Sequence, residues 1–347
     1  MAYVVAKCGH FLYENAKSNV YNSEMMEKIL EFCLCSKILP SGSWSFIGGQ
    51  NTCQALRKSP LGFASLNGYC RAMTDLIQID FMDASFPMQL HSGDELVSNI
   101  IRKKGYYSSN DLMVMRKLLR EGDVFFDIGA NVGWHSLYAA QWVGVSGKVF
   151  AFEPEDENFK ILSANTNSFS NITPVQLALG EQQGDFRLVG FWENRGNHMI
   201  DFTKDFAAPL SQQVRMTKLD DFLSSAGLEQ IRFIKIDAQG CEVKILRGAG
   251  ELIKRSRPFV QAEFSPAHIR FCGDSIFDIL SFLDRNNYLP FWLQEQDDLS
   301  VEQILRPVSI SDLLYIAQDL NHKELGVDIL MVPSERLNEF SNAIRTA

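Results

Sequence analysis

With 347 residues the chain is long enough for one large domain or two smaller ones built on a sizeable core. Hydrophobic residues make up 46% and charged residues 22%, an ordinary globular composition. The formal net charge of -9 argues against a sequence-independent grip on nucleic acid, which needs clustered lysine and arginine. No apolar run approaches the ~20 residues that span a bilayer. The opening "MAYVVAKCGHFLYENAK" lacks the basic start, long apolar run and cleavage site of a secretion signal, so a cytoplasmic protein without membrane contact is expected.

In chain order, "SEMMEKILEFCLCSKIL", Ser23 to Leu39, has helical apolar spacing, with Ser23 as N-cap and Glu27 close behind. The Gly- and Ser-rich "PSGSWSFIGGQN" then reads as loop. Cys8, Cys33, Cys35, Cys53 and Cys70 crowd this region beside His10, but no C-x-x-C pair is present. Buried thiols in a reducing compartment explain them better than zinc ligation. Residues 1–75 are therefore expected to be an accessory helical segment, distinct from a larger domain over 76–347.

From Leu76 the pattern changes. "DLIQIDFMDASFPMQLHS" alternates like a β-hairpin bending near Asp83 to Ser85, and "NDLMVMRKLLREGD" reads as a helix capped by Asn110 and stopped at Gly122. Strands and helices then alternate: strand "VFFDI", helix "WHSLYAAQWV", strand "KVFAFEP", helix "DENFKILSANTNSF", strand "ITPVQLAL", strand "IRFIKID", helix "CEVKILRGAGELI", strand "PFVQAEF", helix "SIFDILSFLDRNN", and strands "YLPFWL" and "VDILMVP". The short basic runs Arg102–Lys104 and Lys254–Arg257 suit solvated helix ends. Alternation of this kind predicts an α/β sheet covered by helices on both faces, with its ligand crevice beyond the C-terminal strand ends where strand order reverses.

Two strand ends stand out. Asp127 is followed by Gly129, Asn131 and Gly133 in "DIGANVG", and Glu153 ends the next strand in "FAFEPEDENF". A dinucleotide fingerprint would be G-x-G-x-x-G, with its second glycine admitting a pyrophosphate. Asn131 stands between the glycines instead, which favours a nucleoside without phosphates such as S-adenosylmethionine over NAD. Asp127 would face the cationic part of that ligand, the helix N-terminus near Trp134 its carboxylate, and Glu153 its ribose hydroxyls.

The blocks "DIGANVGWHSLYAA", "GKVFAFEPEDENFKILSAN", "TKLDDFL", "IRFIKIDAQGCEVKILRGA" and "PFVQAEF" together resemble the FkbM family of S-adenosylmethionine-dependent methyltransferases, over roughly Asp94 to Pro333. The resemblance implies the Rossmann-like class I methyltransferase fold, a seven-stranded, mostly parallel sheet whose last strand is antiparallel. It also implies O-methylation of hydroxyl groups, often on sugars or natural products, so a small-molecule or glycan acceptor is expected as partner. Carried over, Asp127, Gly129, Asn131, Gly133 and Glu153 form the cofactor site. "KIDAQGCE" departs from the family at Gln239, where an acid is expected.

Methyl transfer from a sulfonium needs alignment above all, and a base helps a hydroxyl acceptor. Asp237, Glu263, Lys235 and His268 are the catalytic candidates. A divalent metal such as magnesium, if used, would fall to Asp237, Glu242 and Glu263. Lys235 shares strand parity with Asp237 and, in a central strand, needs a charged partner. His135, His91, and the loop residues Asn194, Asn197 and His198 are secondary candidates. The same fold could methylate nitrogen, but no Asn/Asp-Pro-Pro-aromatic motif follows "IRFIKI". A non-catalytic binding module would tend to lose the acid or glycines of the turn, and both are intact. The insertion 294–325, with "SVEQILRP" and "SDLLYIAQDL", carries two short helical patterns suited to a lid or a homodimer contact.

Overall fold

The structure is a computed structural model that describes residues 74–191, 194–203, 206–228, 230–293, 305–309, 311–314 and 326–345, together with residues 37, 38, 44 and 45. The chain divides into two compact units, Met1–Ala72 and Met73–Ala347. In the first, Lys37–Ile38 (β1) pairs antiparallel with Trp44–Ser45 (β2). The helix read over Ser23–Leu39 therefore does not run through Lys37 and Ile38. Pro40 biases the residues before it away from helix and towards extended backbone. The rest of that helix, with Cys8, His10, Cys33, Cys35, Cys53 and Cys70, lies outside the described residues.

The second unit opens with the expected hairpin, Thr74–Phe81 (β3) against Ala84–His91 (β4). Its two-residue turn is Met82–Asp83, and Met82 takes a φ of 55°. Two helices follow, Val97–Lys104 (α1) and Ser109–Leu118 (α2). Arg102, Lys103 and Lys104 fill the last turn of α1, where the helix dipole favours cations.

The alternating part of the chain then supplies Val124–Ile128 (β5), Trp134–Val143 (α3), Lys148–Phe152 (β6), Asp156–Thr166 (α4) and Ile172–Val175 (β7). Four strands of a smaller sheet follow: Ala178–Leu179 (β8), Gly184–Gly190 (β9), Met199–Asp201 (β10) and Leu210–Thr217 (β11). Next come Leu219–Ala226 (α5), Phe233–Ile236 (β12), Glu242–Arg247 (α6), Gly250–Ser256 (α7), Phe259–Phe264 (β13), Pro266–Phe271 (α8) and Ile276–Asn286 (α9). Tyr288–Leu293 (β14), Leu305–Pro307 (β15), Val327–Pro333 (β16) and Leu337–Arg345 (α10) close the unit.

The main sheet has the order β15-β14-β16-β13-β12-β5-β6-β7. The five strands from β13 to β7 are parallel, and β16 runs antiparallel to both β13 and β14. This is the expected seven-stranded arrangement, extended at one edge by the three-residue β15. Strand order reverses between β5 and β12, so the C-terminal ends of those two strands bound the crevice.

Three expected elements are divided or altered. Ile172–Leu179 splits, with β7 at the edge of the main sheet and β8 in a separate four-stranded sheet, β10-β9-β11-β8. Pro174 offers no amide to a further strand. The helix from Cys241 to Ile253 breaks into α6 and α7 at Gly248–Ala249. "SVEQILRP" ends as strand β15 paired to β14 rather than as helix, while residues 294–304 and 315–325 lie outside the described residues. Ser311–Leu314 is helical.

Register explains how the sheet builds a site. On one face Phe125, Phe233 and Phe259 stand in a row across β5, β12 and β13, with neighbouring ring centroids 5.7 and 6.5 Å apart. Each is fully buried and contributes roughly 2–3 kcal/mol of apolar burial. Two residues further along, on the same face, the row becomes Asp127, Lys235 and Gln261. The sheet thus changes from aromatic to polar as it nears the crevice. The other face stays apolar through Phe126, Ile128, Ile234, Ile236, Val260 and Ala262.

Gly129, just past β5, has a φ of +81°, and a Cβ there would overlap the carbonyl oxygen of Asp237. Gly129→Ala should lower stability by at least about 2 kcal/mol in urea unfolding, because strain and backbone overlap add. An unchanged midpoint would mean that β5 and β12 do not meet this closely.

Candidate active site

A cavity of about 350 Å³ lies at the ends of β5, β6 and β12. The glycine turn forms its floor through Gly129, Ala130, Asn131 and Val132, and Glu153 and Pro154 follow from the end of β6. Asn131 adopts a φ of +51°, which asparagine tolerates better than other non-glycine residues. Its backbone N–H donates to Glu153 Oε2 at 2.9 Å, which ties the turn to the neighbouring strand end.

Glu153 is nearly inaccessible and also accepts the Glu155 N–H at 3.0 Å and the Asn158 Nδ2 at 3.4 Å. Burial pushes its carboxyl up to about 8, with the nearby Glu155 adding to the rise and these N–H donors opposing it. Glu155 caps α4 by accepting the Asn158 N–H at 2.7 Å. The Arg195 guanidinium lies 3.4 Å from it. The Arg195 carbonyl in turn accepts Nδ2 of both Asn131 and Asn158, so the 194–198 loop is fastened to the glycine turn.

Asp127 and Gly133 are not in the cavity wall. Asp127 is buried below it and accepts the Ser136 hydroxyl at 2.6 Å through Oδ2, while Oδ1 has no partner. Gly133 takes a φ of +93° as the N-cap of α3. Both shape the turn from beneath instead of facing the cavity.

Asp237, Gln239 and His268 also line the wall. Lys235 Nζ reaches Asp237 Oδ2 at 3.2 Å from within the core, so the polar residue in the central strand has its partner. Gln239 Nε2 donates to Asp237 Oδ1 at 2.8 Å and to Glu263 Oε2 at 3.0 Å. His268 Nδ1 lies 3.9 Å from the same Glu263 oxygen. Burial disfavours charge on Asp237, yet Lys235 and Gln239 outweigh it and hold the carboxyl below its usual range. Burial likewise opposes charge on Lys235, but Asp237, Asp111, Asp328 and Asp127 hold its ammonium above the ordinary lysine value. Burial would also lower His268, and Glu263 reverses that into a net rise.

Glu242 does not join this wall. It accepts the Ala238 N–H at 3.0 Å, and burial followed by repulsion from Glu263 pushes it up to about 8. The proposed metal set of Asp237, Glu242 and Glu263 does not converge. Among the described residues no three His, Cys, Asp or Glu side chains are grouped to hold a cation.

His135 lines the cavity with its Nε2 3.5 Å from Asp111 Oδ2 and its ring edge-on to Tyr107. His198, Asn194 and Asn197 also reach the wall, and burial with Arg195 nearby pushes His198 down to about 4. His91 does not; its Nε2 pairs with Asn158 Oδ1 at 2.8 Å and supports that residue from behind. Sequence reasoning missed Tyr107, Asn158 and Arg195. Only Asn158 left a trace, as a polar residue in the first turn after the Glu153 strand end. Tyr107 and Arg195 arrive from loops that carry no periodic signal.

A parallel sheet reversing order at a glycine turn, with an acid ending the second strand in the cavity wall, defines a Rossmann-like fold of the class I methyltransferase type. Residues 127–290 match the family profile described as the Methyltransferase FkbM domain. It is 26% identical over 143 residues to the hexuronic acid methyltransferase AglP of Haloferax volcanii, covering 39% of this chain and 54% of that protein. It is 29% identical over 164 residues to the 2-O-methyltransferase NoeI of Sinorhizobium fredii, covering 43% and 66%. It is also 28% identical over 159 residues to the 31-O-demethyl-FK506 methyltransferase FkbM of Streptomyces tacrolimicus, covering 38% and 60%. The chain thus spans between half and two thirds of the length of these relatives. A solved FkbM methyltransferase from Methylobacillus flagellatus aligns at 18% identity and a TM-score of 0.38, covering 62% of this chain and 45% of that one. Among the described residues no helix is long and apolar enough to cross a membrane.

Lys235→Met should destabilise the protein by about 3–5 kcal/mol at pH 7, since it leaves buried carboxylates without their cation. Part of that loss should return at pH 5, where the acids freed of Lys235 take up protons. Equal losses in urea unfolding at both pH values would mean that Lys235 acts through packing alone.

Proposed function

We propose that this protein is an S-adenosylmethionine-dependent O-methyltransferase acting on a hydroxyl of a sugar or other small natural product. The observation that carries the reading is Glu153. It is a buried acid at the end of β6 facing the cavity beside a glycine turn that lacks the pyrophosphate glycine. S-adenosylmethionine supplies an activated methyl group when bound. Glu153 would accept its ribose hydroxyls, Gly129 and Asn131 would line its path, and Asp127 and Gly133 would hold the turn in shape. The relatives' printed activities, on a hexuronic acid and at a 2-O position, favour oxygen as the acceptor atom.

The acceptor would enter beside Asp237, Gln239 and His268. Both Asp237 oxygens already accept hydrogen bonds, and its pKa is held low, so it is a weak base. Its role would be to orient a hydroxyl donor. His268, with Glu263 Oε2 3.9 Å from its Nδ1, is the better proton acceptor. Lys235 would fix the charge and direction of Asp237 from below.

Titration calorimetry with S-adenosylmethionine, S-adenosylhomocysteine and NAD tests the cofactor. Micromolar binding of the first two, lost in Glu153→Ala, is expected; binding of NAD alone would overturn the reading. Ribose hydroxyls donate to the ionised carboxylate, so affinity should rise with pH and level off above about 8. With an acceptor in hand, Asp237→Asn should lower turnover more than cofactor affinity. His268→Gln should remove the rise of turnover with pH that the histidine imposes above its ordinary value of 6.5. A pH profile identical to that of the unmodified protein would remove His268 from the mechanism.

A further inference from the structure

Gln239 stands between two carboxylates, Asp237 in the cavity wall and Glu263 behind it. Its Nε2 lies 2.8 Å from Asp237 Oδ1 and 3.0 Å from Glu263 Oε2, from the end of β12 on one side and β13 on the other. Only the NH₂ end of an amide can donate to two carboxylates at once, which fixes the orientation of the group. The residue reaches this point from a left-handed backbone, φ +48°, in the turn Asp237–Cys241. That turn cannot drift, because a Cβ on Gly240 would overlap the His268 carbonyl oxygen.

Two carboxylates drawn to one electropositive group between them is also the arrangement around a hard divalent cation, with oxygens at 2.0–2.6 Å; here the two amide hydrogens supply the positive ends. An N–H donor sits somewhat further from each oxygen, as it does here. Asp237 has its remaining oxygen on Lys235, so no further positive charge is needed at that site.

We propose that the Gln239 amide occupies the place of a divalent cation between Asp237 and Glu263, and that Gln239 is the positioning residue that sets Asp237 for the acceptor by tying it to Glu263 behind the cavity wall. The proposal rests on the methyltransferase reading for its purpose. In its structural content it concerns only these three side chains. An acceptor hydroxyl then meets the Asp237 carboxylate directly, without a bridging ion. It also gives a physical sense to the glutamine standing where an acid is expected: a third carboxylate at 239 would create a charge deficit that a cation must fill.

The test uses the full chain and Mn²⁺ as probe, read by electron paramagnetic resonance. Gln239→Glu should bind Mn²⁺ at least tenfold more tightly than the unmodified protein, and Asp237→Asn added to it should abolish the gain. Gln239→Ala, which removes the amide and leaves a space, should show a smaller gain and keeps the question open to answer if the glutamate variant does not fold. No gain in a folded Gln239→Glu or Gln239→Ala protein overturns the proposal. So does tight Mn²⁺ binding by the unmodified chain that Asp237→Asn removes. Calorimetry of the unmodified protein with S-adenosylmethionine runs alongside. Its failure would remove the methyltransferase reading and leave the Mn²⁺ result to decide the role of the amide.

Discussion

The site depends on one buried charge. Lys235 comes up through the middle of the sheet, where neither face offers water, and its Nζ is held by Asp237. Burying an ammonium there is costly, and the surrounding carboxylates offset that cost only while the strand register keeps them on the same face. Asp127 is its register neighbour on β5, Gln261 its neighbour on β13, and Asp237 follows two residues along its own strand. A one-residue slip of β12 would exchange Lys235 for Ile234 or Ile236 and put a cation into the wholly apolar face. The ion pair therefore does more to specify the pairing of β12 than to stabilise the fold.

The same register separates two tasks along the sheet. The phenylalanine row at Phe125, Phe233 and Phe259 supplies cohesion, and the polar row above it supplies orientation. The glycine turn, Glu153, Asp237 and Gln239 line the crevice from the ends of β5, β6 and β12, and His268 lines it from α8. A ligand in the cavity would thus meet residues set mostly at strand ends, where side chains are more tightly placed than on loops.

Much of this was legible in the sequence because it is carried by strands with short, regular connections. The strand "VFFDI", the helix "WHSLYAAQWV" and the strand "KVFAF" fall where their apolar patterns put them, and the acid at 153 follows from its place at a strand end. The polar lysine in "IRFIKID" was legible as a charge in need of a partner. Other parts were hidden for physical reasons. "ITPVQLAL" reads as one strand because its apolar pattern is continuous, but Pro174 and the turn beyond Val175 send its halves into two sheets. Asp127 looked like a cavity residue because it ends a strand, yet its side chain turns beneath the crevice to Ser136. Arg195 and Tyr107 reach the cavity from irregular segments, where no periodicity predicts direction. Gln239 looked like a loss and is a bridge, which only the distances to two separate strands reveal.

The two margins of the main sheet share a chemical feature. β7 carries Pro174 and β15 carries Pro307, next to the exposed Arg306. Proline offers no hydrogen for a neighbouring backbone, and β15 is three residues long with a charge beside it. Among the described residues, the broad sheet therefore ends on both sides in strands that make poor templates for another chain. A domain whose catalytic face demands an open, wide sheet in this way limits its own tendency to stack edge to edge into fibres when crowded.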